Sequence, residues 1–341
     1  MTKKAISKKQ INSFIKDLGK KYRIFVPKFK EIDYQFIEYD PKETYEFPNF
    51  QNARIPPKEL LFPRSEVLFS FKKDGNDIKI EEPADDPKEN IIFGIRNCDA
   101  RGFKILDTFF ASGHFKDNYY FNRRDKTVFI GFSCNNPLTT CFCTSVGGAP
   151  FSSEGFDIQV IELKDRFLFE SITEKGEELL KYLKQAEEVT DEYQKQIEEL
   201  SAKSNESITV NLDLGNIEKS LDNLFENKIW SETNRICLTC GSCTFICPTC
   251  HCFDVQDELD KNGGKRIRLW DTCQFELFTQ ETSGHNPRGA GFARTRQRLY
   301  HKFNYYIKNY DLIGCVGCGR CITNCPVNHD IRETLESVIQ S

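Results

Sequence analysis

The sequence predicts an α+β or α/β molecule in two parts. An N-terminal mixed-sheet α/β domain spans residues 1–214, and a mostly helical, cysteine-rich domain spans residues 215–341. Three observations carry this. Two apolar runs, Ile91–Ile95 and Val128–Phe132, flank a helical segment with Phe103, Leu106, Phe109 and Phe110 on its inner side. That is the spacing of a parallel βαβ unit with a right-handed crossover. Second, the spelling C-x2-C-x2-C-x3-C-P occurs twice, at Cys237, Cys240, Cys243 and Cys247 before Pro248, and at Cys315, Cys318, Cys321 and Cys325 before Pro326. Third, the long insertion between the runs, Thr249–Gly314, reads largely as helix, with Leu299, Phe303, Tyr306 and Ile307 at helical spacing inside Phe292–Tyr310.

Taken in order, Ser7 and Gln10 have capping-box spacing, and Ile11, Phe14, Ile15 and Leu18 form one helical stripe. Tyr22–Val26, Val67–Phe71 and Ile78–Ile80 read as strands, with the proline-rich Pro48–Pro63 as an irregular connection. Beyond the βαβ unit, Asp157–Leu163 and Arg166–Phe169 form a strand pair turning at Lys164-Asp165. The charged Glu177–Ser201 reads as a solvated helix, and Ala202–Glu206 as a linker. A short strand around Val210 and a helix over Ile217–Phe225 lead into the second domain.

Fifteen cysteines and a net charge of −4 accompany a polar, lysine-rich start and no apolar run long enough to span a bilayer. This combination points to a soluble protein of a reducing cytoplasm whose cysteines bind metal rather than pair as disulfides. Neither a membrane nor a nucleic acid is an expected partner.

The doubled run is that of bacterial two-cluster ferredoxins. Three thiolates on one tight loop cap three irons of a cubane, and the fourth cysteine opens the next segment and serves the other cluster. The expected ligands are Cys237, Cys240, Cys243 and Cys325 for cluster I, and Cys315, Cys318, Cys321 and Cys247 for cluster II. Two [4Fe-4S] clusters in a helical, two-cluster ferredoxin-like domain are thus expected. Zinc is the bland rival, but its structural sites use separated cysteine pairs.

Cys98 and Cys134 each follow a strand of the βαβ unit, at the sheet edge where open α/β sheets place ligands. With Cys141 and Cys143 from the next loop they offer four thiols for a third cluster. Against this, Cys98 and Cys134 also read as small buried hydrophobes. Cys250, Cys252 and Cys273 are left over: ligands to a further cluster, to zinc with His251 or His285, or thiols packed around cluster II. Lys261 to Lys308 holds ten Lys and Arg against three Asp and Glu, with Arg294, Arg296, Arg298, His301 and Lys302 at its centre. These cations suit the tuning of anionic clusters, or the docking of an acidic partner.

Several stretches together resemble a known family: the A-type iron–sulfur subunit of anaerobic sulfite reductase and the related beta subunit of soluble nickel–iron (sulf)hydrogenases. They are Lys21–Pro27, Arg96–Asp99, Cys141–Gly147, both cysteine runs, Trp270–Cys273 and Arg298–Lys302. The resemblance implies a non-catalytic relay that carries electrons from an NAD(P)H-oxidising flavoprotein subunit to a catalytic subunit. Sirohaem sulfite reductase is the first reading for the latter and nickel–iron hydrogenase the alternative. The absence of a Gly-rich nucleotide motif agrees with a hydride-handling partner. An enzyme with a substrate-facing cluster at Cys98, Cys134, Cys141 and Cys143 is the rival from another class.

Iron analysis separates these counts. About eight irons per chain are expected for two cubanes and about twelve for three, and four or fewer overturns the two-cluster assignment.

Overall fold

Most of the stretches marked as strands join one large sheet whose carboxyl edge faces the cysteine-rich half, while Val67–Phe71 and Ile78–Ile80 join a second, smaller sheet. The computed structural model describes residues 2–75, 77–84 and 86–341. In the N-terminal part, β1 (Lys3–Ser7) leads into α1 (Ile11–Leu18), and then come β2 (Arg23–Lys30), β3 (Asp33–Glu38), β4 (Ser65–Asp74) and β5 (Asp77–Glu81). β6 (Asn90–Arg96), α2 (Asn97–Phe110), α3 (Asn118–Arg124) and β7 (Thr127–Phe132) make the crossover unit. β8 (Ile158–Glu162), β9 (Arg166–Ser171), α4 (Glu174–Leu180), β10 (Glu187–Glu188) and α5 (Asp191–Glu206) complete this half.

The eight-stranded sheet runs β10-β1-β9-β8-β7-β6-β2-β3. Its centre, β2-β6-β7-β8, is parallel, and the flanking pairs are antiparallel. Every residue of β6 and β7 is buried, as expected of strands covered on both faces. Ile91, Phe93, Ile130 and Phe132 pack with Ile11, Phe14, Ile15 and Leu18 of α1. On the other face Ile92, Ile95 and Phe129 meet Phe103, Leu106 and Phe110 of α2. Gly131 is glycine for a packing reason: a Cβ there would lie 1.8 Å from the Phe156 ring.

The second half opens with α6 (Ile217–Asn223), α7 (Ile229–Asn234) and α8 (Ser242–Phe245). A hairpin follows, β11 (Phe253–Asp260) and β12 (Gly263–Trp270), and then α9 (Gly291–Tyr300), a π-helical turn His301–Tyr305, α10 (Tyr306–Tyr310), α11 (Arg320–Thr323) and α12 (Ile331–Ile339). Its core joins Leu221, Trp230, Leu299, Phe303 and Leu335. Among the described residues no helix is long and apolar enough to cross a membrane.

Four expectations change. The charged stretch from Glu177 is two helices, α4 and α5, separated by the edge strand β10. Ala202–Glu206 is the last turn of α5 and not a linker; its Ser204 is buried and donates to the Cys134 carbonyl at 2.6 Å. Around Val210 the chain is irregular, stitched by Ser145, whose hydroxyl reaches the Val210 carbonyl and accepts from the Leu212 N–H at 2.9 Å. The insertion after the first run also opens with a hairpin ahead of its helices. β11 is almost wholly exposed, so no buried stripe marked it in the sequence.

That hairpin fastens the two halves together. β12 pairs antiparallel with β4, building a second sheet in the order β11-β12-β4-β5. Beneath it Arg268 (3% exposed) pairs with Glu66 at 2.5 Å and Asp117 at 2.5 Å, and Arg123 reaches the other Glu66 oxygen at 2.5 Å. Breaking a buried pair strands a charge and costs about 3–5 kcal/mol. Glu66→Ala is therefore expected to lower the unfolding midpoint in thermal or urea melts well beyond an exposed change such as Lys79→Ala; equal midpoints would show that the network does not fasten the halves.

Candidate metal centre

Each cysteine run folds the same way. In the first, Thr239 (φ 50°) and Gly241 (φ 76°) turn the chain through the left-handed region, and the Thr239 N–H points at Cys237 Sγ at 3.4 Å. In the second, Gly317 (φ 63°) and Gly319 (φ 72°) do the same, and the Gly317 N–H points at Cys315 Sγ at 3.5 Å. α8 and α11 start immediately after Gly241 and Gly319. Glycine is needed at 317 because a Cβ there would come within 2.6 Å of the Cys143 backbone. Such loops aim successive thiols and amide N–H groups at one enclosed volume, and N–H···S bonds stabilise anionic sulfur.

The ligand sets expected from the sequence are brought together with the fourth cysteine exchanged between runs. Cys237, Cys240, Cys243 and Cys325 line one cavity, with Cys321 at its far wall. Cys315 and Cys318 each have Cys247 and Cys321 as charged neighbours. Cys321 in turn neighbours Cys243, so the two groups abut. Burial pushes the Cys315 thiol up to about 12 and the Cys318 thiol up to about 11. Thiols so deeply buried are ionised by bonding to a metal cation, with release of a proton. Among the described residues no three His, Cys, Asp or Glu side chains converge as a single metal ion requires. Cys237, Cys240, Cys243 and Cys325 instead stand around a cavity, as thiols do when each binds its own iron.

The cavity of Cys237, Cys240, Cys243 and Cys325 also carries two orphaned polar atoms, Arg298 Nε and His329 Nε2. Arg298 is 6% exposed, and its Nε finds no acceptor among the described residues. Its nearest charges are Cys243 and Cys321, followed by Cys250 and Cys247. It thus stands between the two cysteine groups. A buried guanidinium N–H without an acceptor is expensive, and an anionic iron–sulfur cluster on these thiols supplies what it lacks. The residues fit the group.

Helical phase divides the basic patch read from the sequence. Arg294 donates to the Arg288 and Gly289 carbonyls, and Arg296 stacks on Phe225 at 3.7 Å. Only Arg298 and Lys302, one turn apart, turn toward the thiols. The Lys302 ammonium lies 3.4 Å from Cys247 Sγ, 2.8 Å from Thr249 Oγ1 and 3.0 Å from the Gly314 carbonyl. With a hydrogen bond from the Cys250 thiol as the largest cause, then Lys302 and Lys58, Cys247 is held well below the usual thiol range.

Two further buried cations were not marked by the sequence. Lys58 (3% exposed) donates to the Cys250 carbonyl at 2.8 Å and lies 4.2 Å over the Trp270 ring. Arg320, inside the second run, forms a buried ion pair with Asp99 of α2 at 2.8 Å and donates to the Ala53 carbonyl at 2.7 Å. Lys58 lies in the Pro-rich loop, far from the runs in sequence, so only a Lys at a position that proves buried could have pointed to it.

The N-terminal cysteines meet the second run. β6 and β7 are adjacent and parallel, as expected, and Cys98 and Cys134 leave the sheet at one edge. Cys134 is a charged neighbour of both Cys141 and Cys143. Cys98 sits beside Arg320, Cys318 and Cys141. The loop between them docks through the Phe142 N–H on the Gly317 carbonyl at 2.9 Å. Of the leftover cysteines, Cys250 hydrogen-bonds Cys247 and Cys252 hydrogen-bonds Cys273. His251 stacks on Phe109 at 3.6 Å, whereas His285 lies in an exposed loop.

Comparison with known proteins agrees with this geometry. Residues 236–329 match the family described as 4Fe-4S dicluster domain. Over 326 residues the chain is 31% identical to sulfhydrogenase 2 subunit beta of Pyrococcus furiosus, which spans 95% of this chain and 93% of that protein. No solved structure matches. The chain carries [4Fe-4S] clusters and is an iron–sulfur electron-transfer subunit.

Removing the orphaned cation tests its role. A unit charge several ångströms away at an effective dielectric of about 20 is worth about 2 kcal/mol, on the order of 90 mV for one electron. Arg298→Gln is expected to shift cluster midpoints to more negative values by that order in a redox titration followed by paramagnetic resonance, and Arg298→Lys to shift them much less. Unchanged midpoints in both would place the guanidinium away from the clusters.

Proposed function

The chain belongs to the family of the sulfhydrogenase beta subunit, and on that premise we propose that it is the electron relay of a cytoplasmic redox complex. It takes electrons from a flavoprotein subunit that oxidises NAD(P)H and delivers them to a catalytic subunit. The likeness to a sulfhydrogenase subunit favours a nickel–iron hydrogenase partner over a sirohaem sulfite reductase, the order opposite to that read from the sequence. Cys237, Cys240, Cys243 and Cys325 hold cluster I; Cys315, Cys318, Cys321 and Cys247 hold cluster II. Cys134, Cys141 and Cys143 hold a third, with Cys98 as its fourth ligand.

The observation that carries this reading is the succession of thiol groups. Cys141 adjoins Cys318, and Cys321 adjoins Cys243. Buried Arg320 stands at the first junction and Arg298 at the second. Bound clusters supply one-electron steps. The protein's own residues hold the thiolates, exclude water and place cations where negative charge accumulates. The row ends at Cys240, the one exposed cysteine, among the exposed apolar side chains Ile236, Leu238 and Leu277. That end suits contact with a redox partner; at the other end Cys134, Cys141 and Cys143 are half-buried.

The relay reading expects an isolated, cluster-loaded chain to be reduced by dithionite and to pass electrons to one-electron acceptors without binding flavin. Stoichiometric flavin, or unaided oxidation of NAD(P)H, would end it. Cys240→Ser is expected to lose or distort cluster I and Cys318→Ser cluster II, each leaving the C-terminal domain partly folded, because metal binding and folding are linked. Iron content and far-UV circular dichroism read both effects.

A further inference from the structure

Cys252 and Cys273 belong to neither run nor to the N-terminal group. The hairpin brings them together: Phe253 pairs with Trp270 at its base, and the Asp271 N–H donates to the Cys252 carbonyl at 3.0 Å. That pairing sets Cys252 and Cys273 side by side at the hairpin base, where Cys273 lowers the Cys252 thiol below its usual range. Cys273 is 7% exposed, and Cys252 is half-buried. The Thr244 hydroxyl, one residue past Cys243, donates to Thr272 Oγ1 at 2.6 Å and fixes the Cys273 segment against the first run. Gln274 links the same two places, its amide 3.6 Å from Cys273 Sγ while its side chain lines the cluster I cavity.

Cys252 and Cys273 lie outside both runs and outside the cavity lined by Cys237, Cys240, Cys243 and Cys325. Nor do three candidate ligands converge there for a single ion, among the described residues. They are neighbouring thiols at one hairpin base, beside thiols of both cluster sites: Cys273 is a charged neighbour of Cys243, and Lys58 and Lys302 act on both Cys252 and Cys247.

We propose that Cys252 and Cys273 form a redox-active dithiol that exchanges an electron pair with the neighbouring iron–sulfur clusters. The proposal rests on the relay reading. Forming the Sγ–Sγ bond breaks two S–H bonds and releases two protons and two electrons. Two one-electron acceptors of the iron–sulfur class each take one electron, and the protons leave by the half-exposed Cys252 side. The reverse reaction splits the disulfide. Such a pair matches a two-electron partner to one-electron carriers. Cys273 holds the Cys252 thiol at about 7, which keeps a reactive thiolate available at neutral pH.

The test uses the full chain with its clusters, with iron, zinc and paramagnetic resonance measured on the same sample. The protein is poised at a series of potentials, quenched in acid, denatured and alkylated, and its peptides are weighed. At oxidising poise Cys252 and Cys273 should escape alkylation and appear as one linked peptide lighter by two hydrogens; after reduction both should label. Cys273→Ser should keep its iron and cluster signals, while Cys252 labels at every poise. If clusters are intact and both thiols label throughout, the dithiol falls and the relay stands. Without clusters both fall. Loss of iron or zinc in Cys273→Ser makes the pair metal ligands and overturns the proposal.

Discussion

A largely buried guanidinium whose Nε finds no acceptor is the constraint on which the second half of this protein turns. Arg298 cannot be buried as it stands unless something anionic fills the space before it. Lys302 and Lys58 repeat the situation: both ammonium groups are buried and bonded only to carbonyl, hydroxyl or thiol groups. No carboxylate among the described residues faces them. Their counter-charge comes from sulfur, which ties the position of every cation to the ionisation of the cysteines.

The same logic explains how so little apolar material suffices around the runs. The loops from Cys237 and Cys315 are short, carry left-handed residues and end in single-turn helices. Elements of that size have almost no stability of their own. Clusters held by these loops would take the place of a core there, and the surrounding hydrophobic residues, Trp230, Leu299 and Phe303 among them, form the core of this half. The N-terminal sheet is built differently, with two apolar faces on β6 and β7 that need no metal. It therefore offers a rigid edge against which the metal-dependent half folds, through the Asp99–Arg320 ion pair and the β4–β12 ladder.

Placement follows from these contacts. The loop carrying Cys141 and Cys143 cannot move away from the second run without breaking the Phe142–Gly317 hydrogen bond and opening the space that glycine leaves. The hairpin cannot move without disturbing Arg268 and Glu66. Redox groups held by such contacts keep fixed separations, which a relay requires and a flexible tether would not provide.

The cysteine runs and their matching loop shapes were legible in the amino-acid order, because spacing within a few residues dictates loop shape. So was the central βαβ unit, because strands buried on both faces must be continuously apolar. The spacing of Arg298 and Lys302 could be read too, although the basic patch hid which of its members point inward. Other features came only with the folded chain. β11 is exposed and is held by partners outside its own segment, so its alternation carried no signal. Lys58, Arg320 and the Cys252–Cys273 contact arise from segments far apart in the chain, and single-residue chemistry does not reveal which distant neighbour a side chain will meet. Proximity between such segments is fixed by packing and register, and neither is written in any local stretch of sequence.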